Sequence, residues 1–323
     1  MPGHLGFCLM DNVLFRWSTG DGFDSLFHTN LAIASLQRFC PEASYCISYN
    51  GKNFGKFKDD LTNLDNLVDF NNLIFNHQHP EDWPFSFDII GGAWWKWAPI
   101  NLGIKPVEVF IDTDVFFVNS PEVLRQWVHS DSDFYAPLDG AVFDLCFGLG
   151  DFKRFKPASS MRERVINVGV VGLKGNCWRD LFVRCSNINL NQIHTLRSYH
   201  INEQGAANYA LELASRAMGF SATKIPFETY AWWCPKDFTI IEGIHFIADT
   251  KGEMSRFYSF FREAIQMGNY WNCQEAYDYV QKCVFQACIF DKEKYKEKYG
   301  EICCQMPRAK RLPASDLRIH LEI

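Results

Sequence analysis

Residues 107–118 read VEVFIDTDVFFV, in which two carboxylates, Asp112 and Asp114, interrupt an otherwise apolar run. A buried, unpaired carboxylate is costly, and two side by side cost more. Residues two apart on a strand share a face, so both side chains are predicted to project together. In open α/β sheets the crevice beyond the carboxyl ends of the strands is where ligands bind. Two hard oxygen donors at such a strand end suit Mn²⁺ or Mg²⁺. A cation offsets the desolvation cost and clamps a diphosphate. The bland alternative, a surface turn or helix cap, does not fit flanks as apolar as VEVFI and VFFV.

The elements that must position this pair follow from periodicity. A first strand is predicted at Leu5–Met10, followed by RWSTGDGFDS (16–25) as a loop. Residues 25–39, SLFHTNLAIASLQRF, place apolar side chains on one helix face, and Cys40-Pro41 ends the helix. ASYCISY (43–49) reads as a second strand stopped by Asn50-Gly51. This βαβ opening predicts a parallel sheet covered by helices. A short strand is expected near 66–70 and a helix within 86–104. The β-branched and aromatic VEVFI then suits a central strand, with a helix after it at SPEVLRQWV. Further strands are predicted near 134–137, 165–173 and 239–247, and helices at 203–218 and 250–266.

The chain has 323 residues, 47% of them hydrophobic, which supports a sizeable core. A formal net charge of −6 argues against a nucleic-acid partner. No stretch reaches the roughly 18 apolar residues of a membrane span, and MPGHLGFCLMDNVLFRW lacks the form of a signal peptide. The cytoplasm is therefore the expected location. The 12 cysteines include no CxxC pair and read as reduced core thiols rather than a zinc site. The charged tail at 291–311 reads as a solvated helix. Weak contact with an anionic membrane is the alternative, and Asp291, Glu293, Glu297 and Glu301 oppose it.

With these elements in place the chain resembles the metal-dependent A-type fold (GT-A) of nucleotide-sugar glycosyltransferases. The resemblance covers roughly residues 5–255. FIDTDVFF is similar to that family's D-x-D strand end. INVGVVGLKG (166–175) and INEQGAANYAL (201–211) look like the N-[AS]-G-V strand and D-Q-D helix start of the glycogenin-like retaining branch, although 203–205 read Glu-Gln-Gly. IHFIADTK (244–251) looks like the late His-x-x-Gly-x-x-Lys element, with Ala248 at the glycine position.

The resemblance implies a single α/β domain with a mixed, mostly parallel central sheet and helices on both faces. The catalytic domain would span 1–266, with a nucleotide-sugar part at about 1–120 and an acceptor part at about 121–266. A helical C-terminal extension, 267–323, would pack on it. It implies that Asp112, Asp114 and His245 hold Mn²⁺ or Mg²⁺. For Asp112 the alternative role is the ribose; Lys96 would face the donor and Lys251 would meet the diphosphate. Asn167 would bond sugar hydroxyls. Glu203 and Gln204, at a helix start facing the crevice, are the catalytic candidates, with Asp139 a further acid. The partners implied are a nucleotide-sugar donor, a UDP-sugar by preference, and a glycan or glycoconjugate acceptor. Trp94, Trp95, Trp97, Trp232 and Trp233 are either core or flat platforms for sugar rings. His77 and His79 read as solvated loop residues. Two other functions compete. A sugar-phosphate nucleotidyltransferase would also use paired carboxylates, but it expects a basic glycine-rich loop where this chain has RWSTGDGFDS. A non-catalytic carbohydrate-binding protein gives no reason for the paired aspartates.

Overall fold

The computed structural model describes residues 10–21, 23–64, 67–77, 96–97, 102–117, 119–138, 165–175, 219–226, 229–231 and 242–245, together with helical residues between 204 and 218. Among the described residues ten strands run β1 Val13–Thr19, β2 Ser44–Tyr49, β3 Leu73–Asn76, β4 Val107–Ile111, β5 Val115–Phe117, β6 Phe134–Pro137, β7 Val170–Lys174, β8 Ala222–Ile225, β9 Tyr230–Ala231 and β10 Gly243–His245. The labelled helices are α1 Phe23–Gln37, α2 Phe54–Asn63 and α3 Glu122–Val128. Seven strands form one sheet in the order β3-β2-β1-β4-β7-β6-β8, and β5-β10-β9 form a second. In the large sheet β1 pairs parallel with β2 and β4, β2 with β3, and β6 with β8, while β7 is antiparallel to both β4 and β6. The expected mixed, mostly parallel α/β sheet is what the chain forms.

Strand alternation sorts the core into two layers. Val13, Phe15 and Trp17 of β1 and Val107, Val109 and Ile111 of β4 share one apolar cluster with α1, α2 and α3. Phe110, Val171, Leu173 and Phe134 face the other way, onto Trp97 and the helical residues Ala207, Ala210, Leu211 and Ala214. Helices therefore cover both faces. Asp112 follows Phe110 on the second of these layers by the period of two.

Several expectations shift. The first described strand is β1, and it runs through Arg16-Trp17-Ser18-Thr19, which the sequence reading places in a loop. A charge mid-strand argues for a loop, but Arg16 is buried against Glu108 on β4. Residues 1–9 lie outside the described residues. The strand expected near 66–70 is absent from 67–70, and β3 starts at Leu73. Helix α2 was missed because FGKFKDDLTN buries only Phe57 and Leu61. The helix expected across 86–104 does not include 102–104, where Gly103 takes φ 68°. β7 begins at Val170, with Ile166 making only a single bridge to Leu138. The helix at 250–266 and the extension at 267–323 lie outside the described residues. Among the described residues no helix is long and apolar enough to cross a membrane. Cys40 and Cys46 are buried and free, as expected of core thiols.

The small sheet is fastened to the rest through Glu242. Its backbone accepts from Asn119 and donates to Thr229. Its Oε1 accepts from Val123 N–H at the start of α3, 2.6 Å, and its Oε2 from the Tyr230 hydroxyl, 3.2 Å. The Tyr135 hydroxyl lies 3.1 Å from that of Tyr230. Burial pushes the Glu242 carboxyl from 4.5 up to about 7, against the pull of those donors and of Arg125. Between these two values the folded chain holds a proton that the unfolded chain has released. This group's contribution to stability therefore falls as pH rises from about 4.5 to about 7, by on the order of a few kcal/mol in total. Glu242→Gln keeps an acceptor for Val123 and has no proton to lose. Urea midpoints measured from pH 4.5 to pH 8 should decline less steeply in this variant; parallel curves would mean Glu242 carries no such burden.

Candidate metal centre

β4 ends at Ile111, and the backbone then turns. Asp112 N–H donates to Gly169 C=O, 2.8 Å, and Val115 N–H returns to Asp112 C=O, 3.1 Å. The two aspartates thus come together through a turn, not through the pleat of a continuous strand. β5 follows at once and pairs antiparallel with β10, which sets His245 opposite Val115. That single register brings a histidine more than a hundred residues downstream next to the aspartates. One ligand atom from each of Asp112, Asp114 and His245 lies within 4.8 Å of the others. His245 Nε2 is 3.3 Å from Asp114 Oδ1 and 3.8 Å from Asp112 Oδ2. Asp114 and His245 are buried, whereas the Asp112 side chain is about one-third exposed (31%). Two carboxylates and one imidazole suit Mn²⁺ or Mg²⁺ by donor type.

Lys96 stands beside this group. Its Nζ is 2.6 Å from Asp112 Oδ1 and donates to Val168 C=O at 3.1 Å, with the side chain buried. Trp97, next to it, is fully buried against Phe110, ring centroids 5.3 Å apart, so this tryptophan is core. Asn167 is buried too, and its Oδ1 accepts Gly169 N–H at 2.8 Å. Its backbone N–H donates to Pro137 C=O.

Sequence reasoning did not single out Asn208. This side chain accepts from Ile166 N–H, 2.9 Å, and donates to Ile166 C=O, 3.1 Å, and to Gln204 C=O, 2.8 Å. It locks the helix that carries Gln204 to the run entering Asn167. The buried Gln204 Oε1 has no hydrogen-bond partner. It shares this with seven other buried side-chain polar atoms among the described residues, Trp17 Nε1 and Trp127 Nε1 included. His77 is exposed and stacks on Phe54, ring centroids 4.7 Å apart. His79, Trp94, Trp95, Asp139, Glu203, Trp232, Trp233 and Lys251 lie outside the described residues.

No protein-family model and no curated protein matches the chain. Among solved structures it is similar to the galactosyltransferase LgtC in complex with donor and acceptor sugar analogues, at 13% identity over 78% of this chain and 95% of that one, TM-score 0.49. It is also similar to mouse xyloside xylosyltransferase 1 (12% identity, 74% and 98% covered, TM-score 0.49) and to the bifunctional glycosyltransferase WbbM (14%, 78% and 49%, TM-score 0.48).

Proposed function

We propose that the chain is a glycosyltransferase that moves a sugar from a nucleotide diphosphate donor, a UDP-sugar by preference, to a hydroxyl of a glycan or glycoconjugate. The observation that carries this reading is the convergence of Asp112, Asp114 and His245 at the carboxyl end of β4. This is the end of the parallel strands at which α/β sheets bind ligands. We assign it to the glycogenin-like retaining branch on its motif layout, INVGVVGLKG followed by INEQGAANYAL. Cys40 and Cys46, buried and free, fit reducing surroundings, and the cytosol is the proposed compartment.

The residues divide the work. Asp112, Asp114 and His245 would hold Mn²⁺ or Mg²⁺, which would supply positive charge against the leaving diphosphate. Lys96 offsets the charge of Asp112 and keeps its carboxylate in place; Lys251 is assigned a phosphate contact. Gln204 offers its unpaired Oε1 to the sugar, with Glu203 and Asp139 the carboxylates assigned to acid–base or nucleophilic work. Asn167 is assigned the sugar hydroxyls through its amide nitrogen, its oxygen being held by Gly169.

The direct test is nucleoside diphosphate release from a panel of UDP-, GDP- and CDP-sugars with Mn²⁺ and with chelator. Release from one donor class, abolished by chelator, is expected. Release from none would overturn transfer from these donors, and cleavage of a sugar nucleotide by added pyrophosphate to a nucleoside triphosphate and a sugar 1-phosphate would replace this reading with the nucleotidyltransferase. Thermal melting adds the base preference. UDP with Mn²⁺ at a hundredfold excess over Kd should stabilise the fold by about 2.7 kcal/mol, and GDP and CDP by less. Equal shifts would remove the uridine preference.

A further inference from the structure

The metal reading treats Asp112, Asp114 and His245 as given, but something must hold the imidazole at the aspartates. The described structure points to Gly169. A Cβ placed on this residue would stand 2.2 Å from His245 Cε1 and 2.6 Å from Nδ1, inside any real contact distance. The ring therefore lies directly on the bare Cα of Gly169 through Cε1 and Nδ1, and Nε2, bonded to that same Cε1, faces the carboxylates. A glycine where another group approaches the backbone this closely has a positional meaning. The same residue accepts Asp112 N–H through its carbonyl, and its own N–H is fixed by Asn167 Oδ1. The preceding carbonyl, of Val168, holds Lys96, which in turn holds Asp112.

We infer that Gly169 is a positioning residue: the turn Asn167–Gly169 is the template that sets the Asp112 backbone and the His245 ring in register, and only glycine at 169 leaves room for the ring. Asn167 acts in this template by pinning the Gly169 amide. The inference rests on the metal reading for its functional consequence and on packing alone for its geometry, so the two can fail separately.

The test is a double-mutant cycle of Gly169→Ala and His245→Ala, read by Mn²⁺ titration and by thermal melting. Gly169→Ala alone should weaken Mn²⁺ binding about 10- to 100-fold, the range found when the outer support of a metal ligand is lost, and should lower Tm. In the His245→Ala background the ring is gone and the new methyl group has space. There Gly169→Ala should change neither Mn²⁺ affinity nor Tm further. The 3.0 Å approach of the added Cβ to Asn167 Oδ1 is present in both backgrounds and cancels. If Gly169→Ala alone does not fold, folding of the double variant supports the same contact. Equal losses in both backgrounds would overturn the inference, because the methyl group would then be acting on the backbone and not on His245. Unchanged Mn²⁺ affinity in folded Gly169→Ala would overturn it as well. A wild-type chain that bound no Mn²⁺ would instead overturn the metal reading, while the melting cycle still decided whether Gly169 seats the ring.

Discussion

Asp114→Asn is expected to weaken Mn²⁺ binding and donor turnover on the order of 100-fold or more, while leaving the metal-free fold intact or slightly more stable. Even outer-shell partners of a metal ligand are worth about 10- to 100-fold, and a charged ligand carries more. The substitution is nearly isosteric, so the buried site keeps its shape and loses its charge. Asp114 is 3% exposed, and its carboxylate shares a small volume with that of Asp112. Without a cation the two repel, and Lys96 at 2.6 Å answers the charge of Asp112. Removing the second charge relieves that repulsion. The signature is a crossing: in chelator the variant melts at or above the wild type, and in millimolar Mn²⁺ it melts below. Calorimetric titration and melting curves with and without metal check both halves. Unchanged Mn²⁺ affinity would take Asp114 out of the site and leave Asp112 and His245 as a pair too poor to hold a hard cation.

The part of this site that was legible in the sequence was the part encoded locally. Asp112 and Asp114 stand out because polar groups break an apolar run, and the burial of VEVFI follows from its residue types. His245 was legible only by resemblance, since nothing local says that β10 pairs with β5. That pairing is a long-range register, and it alone brings the imidazole to the aspartates. Gly169 carries a weak local signal, a glycine inside an apolar strand run, but which group approaches it cannot be read from the chain. Asn208 carries none, because an asparagine within a helical pattern usually faces water, and here it grips Ile166. β1 was displaced for a related reason. Its strand character is interrupted by Arg16, and only the partner on β4 makes that position tolerable in a core. β8 and β9 are short, four and two residues, and gave no pattern long enough to detect.

That partner, Glu108, is where loss of stability should be largest. Arg16 and Glu108 are 1% and 0% exposed, with Nη1 and Oε2 3.4 Å apart. Arg16 Nε donates to Ser48 Oγ, its guanidinium lies over the Phe110 ring, and its Nη2 has no partner. Glu108 Oε1 accepts the N–H groups of Leu102 and Gly103, fixing the turn that enters β4. Burial pushes the Arg16 pKa down and that of Glu108 up, and each charge opposes the other's shift. Glu108→Leu therefore leaves a buried cation uncompensated and two backbone donors without an acceptor. Breaking a buried pair from one side costs about 3–5 kcal/mol, a large share of a domain's stability. Adding Arg16→Met removes the stranded charge and should recover most of that loss. The Leu102 and Gly103 donors stay unmet and keep the double variant below the wild type. Urea unfolding of the two single variants and the double variant measures the coupling directly. A cost below about 1 kcal/mol for Glu108→Leu would match an exposed pair and would mean that water reaches this layer. The functional consequence is separable from the structural one. Glu108 lies inside β4, four residues before Asp112 and with Phe110 between them, so the folded double variant should keep wild-type Mn²⁺ affinity: the pair holds β1 against β4, and the turn beyond Ile111 shapes the site.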